Sequence, residues 1–437
     1  MRKIVLLLFF LYSFTFLSAQ TCEPITQKFM SFMQKSEFDS CQQYFDTSLS
    51  NKFSAEMMEE MWGGMSRFLG DFKSYSDFSF EKTDTTEINT VRCYFEKTKL
   101  DLYLTYNQSR KMIGVFFKPA KNKAAYIEPS YCNASKFYES KLAVKTGTYS
   151  LPGVLCIPNN IEYPPIAILI TGSGPNDKDE TYGPNKPLKD IAVGLASQGI
   201  ASYRYDKRTL IYGKEFVQQP TKNGIYEEVI EDALSAIKLI KKNSQFSKSK
   251  IIIVGHSLGA MCAPLIAKKS KSVNAIILLA GNARPLEDLL LEQYHYIFSL
   301  DSMDVEEKKE IDKLNIQVKT VKDAKLLKLA KAEDLPLGLP SFYWQSLKSY
   351  NQTEVVKKIK QPILILQGER DYQVTMTDFN LWEQTLNYNP KNKFISYPTL
   401  NHLFMSGQGK STPNEYDTPN NVLGQVILDI VAWIKSQ

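Results

Sequence analysis

Ile251-Ile252-Ile253-Val254-Gly255-His256-Ser257-Leu258-Gly259-Ala260 is the stretch that decides how this chain folds. Four β-branched residues in a row suit a strand buried on both faces. The continuation through Ala260, Ala263 and Ala267 has the small side chains of a helix packed closely on a sheet. Between them stands Gly-x-Ser-x-Gly, which alone is a short and weakly specific motif. Directly after a strand and before a helix, it predicts a tight strand–turn–helix that exposes the Ser257 hydroxyl. Gly255 and Gly259 follow from the same geometry, because side chains there would meet the neighbouring strand and helix. The competing reading is a strand-to-helix turn without chemistry.

Outward from this element, apolar runs alternate with helical patterns. Residues 166–171 precede a helix near 186–198, and 201–205 precede one near 227–241. Residues 275–279 follow the Ser257 element, 362–367 lead to a helix around 377–386, and 394–397 lead to a last helix over 422–435. Residues 142–148 and 153–157 read as a hairpin turning at Leu151-Pro152. Buried strands separated by helices imply an α/β fold with a doubly wound, mostly parallel sheet, whose sites form at the carboxyl ends of the strands. Residues 282–360 show helical patterns alone, with Leu286, Leu289, Leu290, Tyr294 and Ile297 on one face; they are expected to form a helical cap inserted between core strands.

The chain before Lys136 is different. Residues 20–135 combine two helical stretches, around Phe29 and over 55–68, with alternating runs at 72–80, 90–95, 100–106 and 111–117. They predict a small α+β domain, a helix pair on an antiparallel sheet, with no constellation of catalytic residue types; residues 136–437 form the second domain. In residues 1–19, Arg2 and Lys3 precede an apolar run that ends in Ser18 and Ala19. That is the layout of a cleaved secretory signal, too short for a comfortable membrane span, and an uncleaved anchor is the competing reading. Thr21 before Cys22 does not suit a lipoprotein. The expectation is export to the periplasm or the exterior, without stable membrane insertion after cleavage.

Composition narrows the function classes. With 437 residues, 43% hydrophobic and 23% charged, the chain has the balance of a folded globular protein. Its 53 Lys and Arg are interspersed among 47 Asp and Glu, and the net charge of +6 falls to +4 when Arg2 and Lys3 leave with the signal. Basic clusters with interleaved aromatics are missing, so nucleic acid is not an expected partner. None of the six cysteines forms a Cys-x-x-Cys pair, which argues against zinc and dithiol chemistry; their pairing stays open.

A serine hydroxyl needs a base to take its proton. Three histidines exist. His256 adjoins Ser257 and should point away from the hydroxyl, and His295 lies in the cap pattern. His402 follows the last strand on a loop at its carboxyl end, so it is the expected base. The orienting acid belongs on the loop after the preceding strand, where Asp371 is the choice and Glu369 the runner-up. Ser257, Asp371 and His402 then stand in the chain order Ser…Asp…His. Oxyanion donors are expected at the backbone of Leu258 and on the loop Thr171-Gly172-Ser173-Gly174-Pro175, with Ser173 and Gly174 exposing amides. That loop also reads as an ordinary Gly-rich turn or a phosphate cradle, but no Gly-Lys-Ser/Thr follows it. Asn176-Asp177-Lys178-Asp179-Glu180 fails as a calcium loop, since Tyr182 and Leu188 fall where Gly and Glu are needed; no metal is expected. Arg370 is expected to pair with a nearby acid, and Tyr203-Arg204-Tyr205-Asp206-Lys207-Arg208 reads as an ion-pair corner.

Gly172-Ser173-Gly174-Pro175-Asn176-Asp177, Gly183-Pro184-Asn185-Lys186-Pro187, Tyr205-Asp206-Lys207-Arg208, Gly255-His256-Ser257-Leu258-Gly259 and Gln367-Gly368-Glu369-Arg370-Asp371 together resemble one branch of bacterial alpha/beta-hydrolase esterases. The resemblance covers about residues 136–437. It implies an alpha/beta-hydrolase fold, a triad at the matching Ser, Asp and His, no cofactor, and action on short-acyl carboxylic esters. Residues 20–135 resemble the uncharacterised domain that often precedes such hydrolases. The oxyanion loop departs from the His-Gly-Gly-Gly form of many lipases, which argues against long-chain triglycerides. A serine aminopeptidase on the same fold is the rival expectation; it would need acids in the cap for a substrate amine, with Asp301, Asp304, Glu306 and Glu307 as candidates. The expected partner is a small ester, and the N-terminal domain leaves room for a homodimer.

Overall fold

The two longer helices of the N-terminal segment each offer one apolar stripe, and they pack on an antiparallel meander. The structure, a computed structural model, describes residues 21–437 apart from 84, 121–124, 301, 302 and 304, so the expected secretory signal lies outside it. The chain divides into two compact units between residues 121 and 122. In the first, α1 (Glu23–Gln34) buries Phe29, Met30 and Met33, α2 (Phe38–Gln42) and α3 (Thr47–Ser50) are short, and α4 (Ala55–Leu69) starts at Ser54, whose Oγ accepts from Met57 N. The sheet runs in order β1 (Phe72–Lys82), β2 (Thr86–Phe95), β3 (Lys99–Asn107) and β4 (Met112–Pro119). Alternate residues Val91, Cys93 and Phe95 of β2 enter a core with Trp62, Leu102 and Leu104, as the period of two requires.

The second unit is built on eight strands. They are β5 (Phe137–Lys141), β8 (Gly153–Pro158), β9 (Ile166–Ile170), β10 (Ala201–Tyr205), β11 (Ile251–His256), β12 (Val273–Leu279), β13 (Ile363–Gly368) and β14 (Lys393–Tyr397), with β6 (Val144–Thr146) and β7 (Tyr149–Leu151) forming a separate hairpin. The sheet order is β14-β13-β12-β11-β9-β10-β8-β5. The six strands from β14 to β10 are parallel, and β8 and β5 close that edge antiparallel. The helices are α5 (Pro187–Ser197), the single turns α6 (Arg208–Ile211) and α7 (Gly213–Val217), α8 (Glu231–Lys242), α9 (Leu258–Lys269), the cap helices α10 (Leu286–Phe298), α11 (Val305–Lys322), α12 (Ala324–Leu329), α13 (Ser341–Lys348) and α14 (Gln352–Val356), then α15 (Met376–Leu386) and α16 (Gly424–Ser436).

Side-chain alternation splits the core in two. Ile251 and Ile253 of β11 face α8, α9 and α15, while Ile252 and Val254 face α5 and α16. Burial on both faces is why these strands read as unbroken apolar runs. Residues 282–360 carry helices and no strand among the described residues. No helix among the described residues is long and apolar enough to cross a membrane.

Two expectations shift. The hairpin turns at Gly147-Thr148, where Gly147 has φ +56° and β6 pairs with β7; the strand at 153–158 instead joins the main sheet beside β10. Pro152 has no N–H to give to a ladder, and it separates the two strands. Likewise, residues 126–136 pack with the second unit. Tyr126 Oη donates to Asp190 Oδ1 at 2.7 Å, Tyr131 Oη to Val422 O at 2.8 Å, and Asn133 N to Ser197 Oγ at 2.9 Å. The change of pattern at Lys136 marks the first strand of the sheet, whereas these long-range bonds mark the division between units.

Asp190 is buried among these contacts, and Val422 N and Asn421 Nδ2 also donate to it. Burial raises its carboxyl from 3.8 to about 6 against the lowering effect of those donors. The native state therefore holds a proton between those values that the unfolded chain has lost, and stability falls as pH rises through that window. Asp190→Asn, which removes the titrating group, should flatten that fall, read as urea midpoints of both proteins on either side of the window.

Candidate active site

The local chain path at Ser257 is forced. β11 ends at His256 and α9 begins at Leu258, leaving Ser257 alone at φ 52° and ψ −116°, a conformation that costs a non-glycine residue on the order of 1–3 kcal/mol. Its N–H donates to Leu279 O at 2.9 Å and its carbonyl accepts from Met261 N at 2.9 Å, so both neighbours hold the turn. A side chain at Gly255 would strike the backbone of Gly259, and one at Gly259 would strike the carbonyls of Ile170 and Thr171. The side chain of Ser257 is partly exposed, and the Leu258 N–H begins a helix whose first donors have no intrahelical acceptor.

Two loops bring His402 and Asp371 together. The Asn401 side chain accepts from Leu403 N and Met405 N, both at 3.1 Å, and so shapes the turn after β14 that carries His402. Asp371 follows β13, and its Oδ2 lies 2.7 Å from His402 Nδ1. Gln367 Nε2 donates to the same oxygen at 3.0 Å, while Gln373 N and Val374 N donate to Oδ1 at 2.8 and 3.0 Å. Both side chains are buried, with 4% and 5% of each residue exposed. A carboxylate so fully bonded assigns the Nδ1–H tautomer to His402 and leaves Nε2 as the basic nitrogen. Glu369, the runner-up, is exposed and accepts from Ser396 Oγ at 2.7 Å, away from His402. Arg370 pairs with Glu415.

The loop after β9 passes beside the serine. A Cβ built on Gly172 would lie 3.1 Å from Ser257 Cβ. Gly172 N donates to Glu180 Oε1 at 2.6 Å, and Gly172 O accepts from Lys207 Nζ at 2.8 Å. Asn176 Nδ2 donates to Ser173 O at 2.8 Å, and Gly174 takes φ +90°. Ser173 and Gly174 are exposed, and among the described residues no group accepts from the amides of Ser173, Gly174 or Leu258. Leu258 follows Ser257 directly, Ser173 and Gly174 follow the Gly172 that lies against it, and the bonds at Gly172 O and Ser173 O hold the loop.

His256 does more than pack. Its Nδ1 lies 3.0 Å from Glu180 Oε2, its Nε2 lies 3.0 Å from His402 O, and its ring centre is 4.7 Å from that of His402. One buried imidazole thus joins the loop after β9 to the loop that carries His402. Burial pushes its pKa down, but the Glu180 carboxylate, the His402 carbonyl and the Asp371 charge together push it up, and the net direction is up. Sequence patterns give no sign of Glu180, which lies 76 residues away and holds a strained φ of 54°. His295 is exposed on α10. Among the described residues no cluster of His, Cys, Asp and Glu has the arrangement of a metal site.

Residues 186–408 match the family described as Serine aminopeptidase, S33, and residues 26–115 match the family described as Protein of unknown function (DUF3887). Esterase EstD of Thermotoga maritima is 34% identical over 407 residues, which span 93% of this chain and 93% of that protein. Among solved structures, Est1E from Butyrivibrio proteoclasticus is similar with a TM-score of 0.44 at 17% identity, over 68% of this chain and 99% of its own. The Pyrococcus furiosus esterase Pf2001 gives a TM-score of 0.44 at 16% identity, over 72% and 97%.

Because the folded pKa of His256 is raised, the stability that Glu180 gives it is fully present below the unfolded imidazole value and is lost as pH rises through the folded one. Glu180→Gln should therefore lower the thermal midpoint most near pH 6, with the gap from wild type narrowing steadily towards pH 9. A gap that is constant across a calorimetric pH series would contradict a charged Glu180–His256 pair.

Proposed function

We propose, since this chain belongs to the alpha/beta-hydrolase esterases, that it cleaves short-acyl carboxylic esters through Ser257, His402 and Asp371 by way of an acyl-enzyme. It is an esterase-type hydrolase. The observation that carries the assignment of residues is the 2.7 Å bond between His402 Nδ1 and Asp371 Oδ2, made between loops after adjacent strands, with His402 O bonded to the ring of His256, the residue before Ser257.

The steps follow from that arrangement. His402 Nε2 takes the Ser257 proton as Oγ bonds to the ester carbon. The carbonyl oxygen becomes an oxyanion and accepts from Leu258 N–H and the Ser173 or Gly174 amide, each donor contributing about 2.7–4 kcal/mol. Collapse breaks the bond to the alkoxy oxygen, which leaves as the alcohol with the proton from His402. Water then repeats the sequence on the acyl-enzyme and releases the acid. Asp371 keeps Nδ1–H in place and stabilises the imidazolium. Small substrates are supported by the closeness of the cap: Tyr372 and Leu403, next in chain to Asp371 and His402, pack with Tyr296 and Ile297 of α10.

The family description that matches residues 186–408 favours a second reading, cleavage of peptides from a free N-terminus. That activity needs a carboxylate for the substrate amine. Asp301, Asp304 and the Glu306 side chain lie outside the described residues, and Glu307 already has a partner. The layout of residues 1–19 supports an exported protein.

Wild type should hydrolyse p-nitrophenyl acetate and butyrate faster than the dodecanoate, and Ser257→Ala should lose at least roughly a thousandfold in kcat. Asp371→Asn should fold normally and lose on the order of 10⁴-fold, through the wrong imidazole tautomer. Comparable turnover of an aminoacyl p-nitroanilide would move the peptidase reading ahead, and an active Ser257→Ala would overturn the nucleophile.

A further inference from the structure

The corner Tyr205-Asp206-Lys207-Arg208 is only partly a matter of ion pairing. Asp206 Oδ1 accepts from Lys178 N at 2.8 Å, and Arg208 pairs with Asp232 at 2.5 Å, as in any structural corner. Lys207 is different. Its side chain is 4% exposed, and its ammonium lies 2.5 Å from Glu228 Oε1 and 2.8 Å from Gly172 O. Desolvating a charge pair is a poor route to stability, since apolar residues of the same volume do as well or better. Its placement against one particular carbonyl is the informative feature.

A trans peptide fixes the carbonyl oxygen of one residue and the N–H of the next in opposite directions. Gly172 O points to Lys207 and also accepts from Asn176 Nδ2 at 3.2 Å, so the Ser173 N–H points away from both. The other side of Gly172 is held by Glu180. A cationic donor on Gly172 O further polarises that amide and strengthens its N–H. Glu228 sits on a widened helical turn, Tyr226–Ile230, ahead of α8, and its Oε2 accepts from Tyr343 Oη at 2.5 Å. Tyr343 belongs to cap helix α13. Tyr343, Glu228, Lys207 and Gly172 thus form one buried chain from the cap to the peptide beside Ser257.

We propose that Lys207 is a positioning residue for ester hydrolysis, holding the 172–173 peptide so that Ser173 N–H meets the tetrahedral oxygen, with Glu228 and Tyr343 holding Lys207 in place. This rests on the Ser257 reading above. Lys207 touches no reacting atom. Its effect is on the transition state, where the oxygen has moved onto the amide, and much less on the bound ester.

The test compares wild type with Lys207→Met/Glu228→Gln, which leaves no unpaired buried charge, and with Tyr343→Phe. For each, kcat and KM on p-nitrophenyl butyrate are measured beside inhibition by butylboronic acid, whose tetrahedral serine adduct resembles the intermediate. The double variant should lose roughly tenfold to a hundredfold in kcat, at or below the loss of a whole oxyanion donor, with KM within about threefold. Affinity for the boronate should fall by the same factor as kcat, and Tyr343→Phe should lose several-fold in kcat with KM unchanged. If kcat and boronate affinity stay within about threefold of wild type, or KM alone rises, the inference fails. Should the double variant not fold, Tyr343→Phe decides by the same two readouts. Ser257→Ala is run alongside: activity retained there brings down the nucleophile and this inference together. An inert Ser257→Ala with a fully active double variant brings down the Lys207 inference alone.

Discussion

The rest of the site depends on how closely the first turn of α9 approaches the end of β9. Gly259 lies against the carbonyls of Ile170 and Thr171, and Gly255 lies against Gly259 itself. Two missing side chains let the helix start within contact of two strands, and the chain can then only pass through Ser257 at a positive φ. The same contact fixes where β9 ends, so the residues that follow it, Thr171 to Gly174, must run beside the serine. One steric requirement therefore exposes the hydroxyl and brings the Gly172 loop against the serine.

Around that contact the site is held by buried polar groups with their bonding capacity used. Asp371 accepts four hydrogen bonds and His256 makes two, and Gly172 is held at both its N–H and its carbonyl. In a low-dielectric interior a group left without its partner costs about 1–3 kcal/mol, more where charge is involved, so each loop is held to one conformation. His256 is the hub, because it binds the acid of one loop and the backbone of another while adjoining the serine in sequence. A glutamine or serine there would leave Glu180 or the His402 carbonyl short of a bond.

The sequence makes legible whatever repeats locally. Ile251–His256 and Leu258–Lys269 are visible from β-branching and small residues, and the parallel sheet from the alternation of such runs. Ser257, Asp371 and His402 stand out because each follows a strand end. Asp371 and Glu369 could not be separated by position alone; the choice is made by the turn, where Gln373 N and Val374 N reach a side chain of aspartate length. Lys207 reads only as part of an ion-pair corner, and the roles of Glu180, Glu228 and Tyr343 carry no local pattern, since the bonds that define all four span 76, 35 and 115 residues. Strand Phe137–Lys141 is exposed along nearly its whole length and shows no alternation to read.

The position of the cap insertion makes it more than a cover. It leaves the sheet after β12 and returns before β13, the strand that ends in the Asp371 loop. Tyr296 of α10 stacks on Tyr372 with ring centres 5.1 Å apart and donates to Ser411 O at 2.8 Å, and Gln293 Nε2 donates to Gln373 O at 2.8 Å. Tyr372 and Gln373 are the two residues after Asp371, and Gln373 N is one of the donors that fix its carboxylate. A cap helix displaced from this face thus gives up contacts with the segment that orients the acid. On the far side, α13 reaches Glu228 through Tyr343. The docked cap therefore contacts the acid loop on one side of Ser257 and the support of the Gly172 peptide on the other, so the geometry of the serine's surroundings is a property of the cap as well as of the sheet.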